Sequence, residues 1–202
     1  MLKLLKPFLK GKFKLYFYFG KKLFDFTFSF FSLIVLLPVL LVIFIFIKLV
    51  DPGPILFKQE RIGLNGDTFV MYKFRSMPVG TKNMTSEQIG RLNLTWMGKF
   101  IRRTNIDELP QLFNILKGEM SIVGPRPALL SQKSLIEYRH QNGSFFCRPG
   151  LTGLAQISSY DGMGVFEKAK LDGKYYNSIS FKSDMLIIFK TFLYILKPPP
   201  VY

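Results

Sequence analysis

The stretch FTFSFFSLIVLLPVLLVIFIFI, residues 26–47, runs for 22 residues without a charge. As a straight helix it is about 33 Å long, enough for a bilayer core of roughly 30 Å, and too long for the apolar region of a signal peptide. Pro38 complicates a simple crossing. It lacks an N–H donor and crowds the carbonyl of Ile34, so the sequence predicts a kink or break there. The two halves, about 18 and 15 Å, are then each too short to span alone.

The flanking charges bear on the same question. Lys3, Lys6, Lys10, Lys12, Lys14, Lys21 and Lys22 precede the segment with no acid before Asp25, as expected beside the anionic lipids of a cytoplasmic leaflet. Lys48, Lys58, Arg61, Lys73 and Arg75 follow it, so both ends look cytoplasmic. The reading is a re-entrant helix–break–helix over residues 23–50 that dips into one leaflet and returns. Exposed backbone at the break then needs a partner such as the Ser32 hydroxyl. An ordinary kinked span is the competing reading. Phe13, Tyr16, Phe17 and Tyr18 interleave with the leading lysines, giving a basic interfacial arm over residues 1–22; a solvated basic lead is the alternative.

The whole chain has 202 residues, 28 Lys+Arg against 13 Asp+Glu, a net charge of +15 and 49% hydrophobic residues. That composition excludes a disordered basic tail and points to a membrane or nucleic-acid partner. With one cysteine, Cys147, and one histidine, His140, the chain has no intrachain disulfide and no His/Cys zinc site. A metal would have to sit on oxygen.

Asp51-Pro52-Gly53-Pro54 punctuates the exit from the apolar segment. Residues 55–58 and 68–74 are β-prone runs joined through a turn-rich connector at 63–67, which reads as a hairpin. Residues 86–103 have weak helical character. Over residues 106–116, Leu109, Leu112, Phe113 and Leu116 recur at helical spacing; Pro110 opens that helix and Gly118 stops it. Residues 185–196 form another apolar helix, lying on the membrane surface or packed as core.

Asp107 and Glu108 fall at the positive end of the 106–116 helix, where a carboxylate is stabilised in its charged form. Arg102 and Arg103 lie just upstream, and Arg126 and Arg148 sit in proline-stiffened loops that lower the entropic cost of holding a guanidinium. Together they form an anion site able to hold a diphosphate and an oxygen-bound Mg2+. The bland alternatives are ordinary helix capping by the acids and arginines that bond carbonyls or carboxylates structurally.

The ordered set Lys21-Lys22-Leu23-Phe24-Asp25, an apolar hairpin with central Pro38, Gly53-Pro54-Ile55-Leu56-Phe57-Lys58-Gln59, Tyr72-Lys73-Phe74-Arg75-Ser76-Met77, Asp107-Glu108-Leu109-Pro110-Gln111, Leu116-Lys117-Gly118-Glu119-Met120-Ser121, Val123-Gly124-Pro125-Arg126-Pro127 and Arg148-Pro149-Gly150-Leu151-Thr152-Gly153-Leu154-Ala155-Gln156 resembles the bacterial sugar transferases, the small monotopic phosphoglycosyl transferases. The resemblance covers about residues 20 to 197. It implies transfer of a sugar-1-phosphate from a UDP-sugar to a polyprenol phosphate such as undecaprenyl phosphate, releasing UMP. That step primes a surface polysaccharide or glycoprotein glycan, which downstream glycosyltransferases extend.

By position, the resemblance makes Asp107 the nucleophile that forms a covalent phospho-sugar intermediate and Glu108 the Mg2+ ligand. Arg102 and Arg126 would hold phosphate and nucleotide diphosphate, with Lys73, Arg148 and Asp172 in the substrate-binding set. The implied fold is α+β, mainly helical. It comprises the arm 1–22, a re-entrant membrane helix 23–50, a small cytosolic catalytic domain 51–182 with a short hairpin, and a C-terminal interfacial helix and tail 183–202, at the bacterial inner membrane.

The chain departs from the family pattern at Leu37, Glu119, Leu154 and Ser158-Ser159-Tyr160, the last two in the part expected near the nucleotide-sugar. Three rival readings are a single-pass anchor for a nucleic-acid-binding domain, a catalytically inactive membrane scaffold for glycan-assembly enzymes, and a two-partner enzyme. No nucleic-acid module is recognisable.

Overall fold

The structure, a computed structural model, describes residues 15–50, 52–77, 96–158 and 163–195. Most of the basic arm, the expected helical residues 86–95, and Ser159 and Tyr160 lie outside the described residues.

A π-helical turn, Tyr16–Gly20, leads into helix α1, Lys21–Val50, whose 30 residues extend about 45 Å if straight. The break expected at Pro38 is absent from the secondary structure: α1 continues through the proline. Packing accounts for this. Lys21, Asp25, Ser29, Leu40, Ile43 and Ile47 are buried, and Leu33 and Leu36 pack against the core between them. At about 100° per residue these positions form one stripe that crosses Pro38 without interruption. Contacts on both sides of the proline outweigh the one backbone hydrogen bond it cannot make. The other faces expose Phe26, Phe31, Ile34, Val35, Leu41 and Phe44 among further apolar residues.

Strand β1, Leu56–Ile62, pairs antiparallel with β2, Thr68–Phe74, Leu56 facing Phe74 and Ile62 facing Thr68. The expected hairpin is present, with a longer first strand. Its extension, Gln59-Glu60-Arg61, is too polar to read as β in isolation and is held by the partner strand. Asn65 turns the connector at φ 56, a left-handed conformation that asparagine tolerates. The remaining elements are α2, Trp96–Arg103; a 3-10 turn, Ile106–Glu108; α3, Gln111–Leu116; β3, Ser121–Val123; α4, Lys133–Asn142; β4, Gly150–Thr152; α5, Leu154–Ser158; α6, Val165–Asn177; and α7, Phe181–Ile195. β3 and β4 pair in parallel as a second small sheet. The main core gathers Phe69, Met71, Leu112, Ile115, Ile122 and Tyr175 from both sheets and from the helices.

Helix α7 starts before residue 185 and straddles the 182/183 boundary drawn from sequence. It is part core and part open surface: Asp184 and Ile187 are buried, while Phe181, Leu186, Phe189, Phe192 and Leu193 are exposed. Asp184 is wholly buried and accepts hydrogen bonds from Lys21 Nζ at 2.7 Å, Tyr16 Oη at 2.8 Å and Tyr175 Oη at 2.7 Å. One turn along α1, Asp25 Oδ1 accepts the Ile122 N–H of β3 at 3.0 Å. The start of the apolar helix is thereby tied to α6, α7 and β3.

A second buried polar side chain serves the hairpin. Asn114, in α3, accepts the Tyr72 N–H at 3.1 Å and donates to Val70 O at 2.7 Å and Glu119 Oε2 at 2.6 Å. It closes the open edge of β2 as a neighbouring strand would.

Two stability measurements check these assignments by chemical denaturation in detergent. Lys21→Met leaves the Asp184 charge buried without its cation and is expected to cost about 3 kcal/mol. Asn114→Ala strands a donor and an acceptor of β2 and is expected to cost about 3 kcal/mol; a loss below about 0.5 kcal/mol in either variant contradicts the role given to that residue.

Candidate active site

The sharpest local signal in the sequence, Asp107-Glu108, lies in the 3-10 turn ahead of α3. Asn105 precedes it at φ 53, and the Glu108 N–H returns to Asn105 O at 3.1 Å. Ile106 and Leu109, on either side of the pair, pack with Leu40, Ile43 and Ile47 of α1, Phe74 of β2 and Ile101 of α2. Local sequence thus supplies a carboxylate turn, and its apolar neighbours pin that turn against the second half of the long helix.

Three cations from separate elements converge on the pair. Lys73, next to the buried Phe74 at the end of β2, places Nζ 2.7 Å from Glu108 Oε1. Arg126, from the loop after β3, places Nη2 3.0 Å from the same oxygen, with its side chain 54% exposed. Arg102, in the last turn of α2, is close enough to act on the charge of Asp107, and its Nη1 is buried without a hydrogen-bond partner. β3 and β4 can approach closely beside the Arg126 loop because Gly124 and Gly150 lack side chains; a Cβ on Gly124 would collide with Arg148 O, and one on Gly150 with Gly124 N.

These surroundings act oppositely on the two carboxylates. Burial pushes Asp107 up to about 6; Glu108 adds to the shift, and Lys73, Arg102 and Arg126 only partly offset it. Burial also raises Glu108, but Lys73 and Arg126, through charge and hydrogen bonds, outweigh it and bring Glu108 down to about 2. Glu108 is a fixed anion. Asp107 makes no hydrogen bond among the described residues and keeps both oxygens for chemistry.

A magnesium ion takes oxygen ligands and commonly uses one or two carboxylates, completing its shell with water and substrate phosphate. Glu108 Oε1 is taken by Lys73 and Arg126, while Oε2 makes no hydrogen bond among the described residues. No cluster of three or more His, Cys, Asp or Glu side chains encloses a metal site among the described residues. The one unengaged carboxylate oxygen of Glu108 fits magnesium, and Glu108 is the residue that would hold it.

The structure brings together Asp107, Glu108, Lys73, Arg102 and Arg126. Arg148 makes no hydrogen bond or ion pair with either carboxylate among the described residues, and its Nε is buried without a hydrogen-bond partner. Asp172, which the resemblance puts in the substrate-binding set, is buried, and its Oδ2 is held by Arg139 Nε at 2.8 Å and Nη2 at 2.7 Å. Only 1% of its surface is exposed. The sequence reading also passed over Asn114, Arg61 and Arg139. Asn114 left one faint signal, an amide within the otherwise apolar helical face of residues 112–116.

Residues 16–198 match the model of the family described as Bacterial sugar transferase. The UDP-glucose:undecaprenyl-phosphate glucose-1-phosphate transferase of Xanthomonas campestris pv. campestris is 41% identical over 152 residues, which cover 73% of this chain and 31% of that protein. The UDP-N-acetylgalactosamine-undecaprenyl-phosphate N-acetylgalactosaminephosphotransferase of Aeromonas hydrophila is 38% identical over 169 residues, 79% of this chain and 39% of that one. The exopolysaccharide production protein PSS of Rhizobium leguminosarum bv. phaseoli is 39% identical over 186 residues, 85% and 92% of the two chains. The chain thus spans less than half the length of the first two relatives and nearly all of the third. A match over almost its whole length, running through the carboxylate turn and the arginine loop that converge in space, places this chain in the bacterial sugar transferase family.

Proposed function

We propose that this chain transfers a sugar-1-phosphate from a UDP-sugar to a polyprenol phosphate at the cytosolic face of the bacterial inner membrane, priming a surface glycan. The observation that carries the reading is the unequal pair of neighbouring carboxylates: Glu108 locked as an anion by Lys73 and Arg126, and Asp107 partly buried and without a hydrogen bond among the described residues beside them.

A carboxylate and a diphosphate repel, so cations must gather the phosphate oxygens before attack. The unpaired Nη1 of Arg102 and the half-exposed side chain of Arg126 support that role for them. An Asp107 oxygen attacks the sugar-bearing β-phosphorus, the bond from that phosphorus to the bridging oxygen breaks, and UMP leaves with the electron pair. An oxygen of the acceptor phosphate then attacks the same phosphorus, yielding polyprenol-diphosphate sugar and regenerating the Asp107 carboxylate. No external oxidant or reductant is needed. Glu108 would hold a magnesium ion, which when bound would supply positive charge to the diphosphate oxygens.

The acceptor is lipid and the donor is water-soluble, so the reacting turn has to lie at the interface. Both halves of α1 rest on one body, which also contains the Lys73–Glu108 and Arg139–Asp172 ion pairs. An upright crossing would drag that body into hydrocarbon. A helix held within one leaflet keeps its buried stripe on the domain and gives its remaining faces to lipid, together with the exposed apolar face of α7. That arrangement supports an anchor confined to one leaflet, with α1 unbroken at Pro38.

Incubation with a UDP-sugar panel alone is expected to leave a phospho-sugar adduct on Asp107, seen by mass spectrometry. Asp107→Asn is expected to abolish UMP release; full turnover in that variant, or an unmodified Asp107 peptide from active protein, overturns the mechanism. For topology, single cysteines at Lys22 and Lys58 are expected to react with an impermeant maleimide from the cytosolic side only, and labelling from opposite sides would establish a span. Cys147 does not interfere, because burial pushes its thiol up to about 12.

A further inference from the structure

The loop that carries Arg126 is built from Pro125-Arg126-Pro127, and the two prolines have no N–H to donate. The segment is held instead by its carbonyls, in succession. Pro125 O accepts the Gly150 N–H at 2.8 Å, Arg126 O accepts Arg139 Nη1 at 2.9 Å, and Pro127 O accepts Arg61 Nη1 at 3.0 Å. The donors come from β4, α4 and β1, three elements distant in sequence.

Arg139 is the buried member of this set. Its Nε and Nη2 are taken by Asp172 of α6, and only Nη1 is directed to the loop. A planar guanidinium gripped on one edge by a carboxylate presents its remaining N–H in a fixed direction. Arg61 is steadied in the same way by Gln59, whose side-chain oxygen accepts from both Nε and Nη2. The backbone on either side of Arg126 is therefore anchored, although its side chain is 54% exposed and long enough to lose considerable entropy on binding.

We propose that Asp172 is a positioning residue: through Arg139 it fixes the Arg126 carbonyl, and so the direction in which the Arg126 guanidinium meets the nucleotide diphosphate. This rests on the donor-binding role given to Arg126 above. Arg139 shares the role, and Arg61 anchors the far side of the loop. Rigid placement lowers the ordering cost at each binding event, so its loss shows in donor affinity before it shows in the chemical step.

The test is a double-mutant cycle on the full chain in detergent, with UDP as the probe in calorimetric titrations and UMP release for KM and kcat. Asp172→Asn is expected to weaken UDP binding by about tenfold, and KM for the UDP-sugar to rise more than kcat falls. In an Arg126→Ala background, the same substitution is expected to change UDP affinity by less than about twofold, because the group it aims is gone. Arg139→Lys, which keeps a cation for Asp172 but loses the fork, is expected to follow the same pattern and serves if Asp172→Asn does not fold. An equal loss of affinity in both backgrounds overturns the positioning role and makes Asp172 merely structural. Failure of the wild type to bind UDP overturns the donor reading and this inference with it; binding by the wild type with no effect of Asp172→Asn overturns the inference alone.

Discussion

One buried anion holds the apolar helix to the rest of the molecule. Asp184, without solvent contact, is satisfied by Lys21 and by the hydroxyls of Tyr16 and Tyr175, which reach it from the π-helical turn, α1 and α6. A carboxylate buried without such partners would be prohibitively costly, so the three groups cannot separate while the fold persists. Geometry propagates from this point. With Lys21 and Asp25 fixed, the stripe Ser29, Leu33, Leu36, Leu40, Ile43 and Ile47 lies along the domain, and its far end supplies the surface on which Ile106 and Leu109 seat the carboxylate turn. The helix that would meet lipid and the turn that would meet nucleotide are two ends of one packed unit.

Within that unit, electrostatics divides two chemically similar neighbours. Glu108 receives both available hydrogen-bonding cations on a single oxygen and becomes a permanent anion; Asp107, one residue earlier, receives charge but no hydrogen bond. Burial without a bonding partner leaves a carboxylate more basic and less solvated, which suits a nucleophile better than a metal anchor. A carboxylate paired to lysine and arginine is poorly nucleophilic but well placed to hold charge in position. The surrounding arginines also differ in their bonds: Arg126 bonds Glu108 and Arg102 acts on the charge of Asp107, whereas Arg61 and Arg139 each give one N–H to a backbone carbonyl of the Arg126 loop, although Arg61 is near enough to feel the Glu108 charge.

The hairpin, the helix after Asp107, the apolar C-terminal helix and the long apolar segment were all legible, because each is a local pattern of side-chain size and polarity. At Pro38 the helix does not break, for a tertiary reason. Its effect on an isolated helix is real, yet residues on both sides of it are buried against the same body, and that packing carries the helix through. The extension of β1 through Gln59-Glu60-Arg61 was hidden because those residues owe their strand conformation to β2. Asp172 entered the substrate-binding set by resemblance alone, and only the fold shows Arg139 opposite it. Asn114 looked like an ordinary helix residue, since its partners lie in a strand more than forty positions earlier.

Legible without any fold, then, are which segment is too apolar for water, where the carboxylate pair and the proline-stiffened arginines lie, and that one cysteine and one histidine cannot make a zinc site. These are properties of composition and short spacing, which survive in any conformation of the chain. Tertiary structure decided which cations reach Glu108, why Asp107 is left unbonded, and that Arg139 and Asp172 serve the loop from behind. Such pairings depend on distances between residues tens of positions apart, and those distances come into being only when the helices and sheets pack.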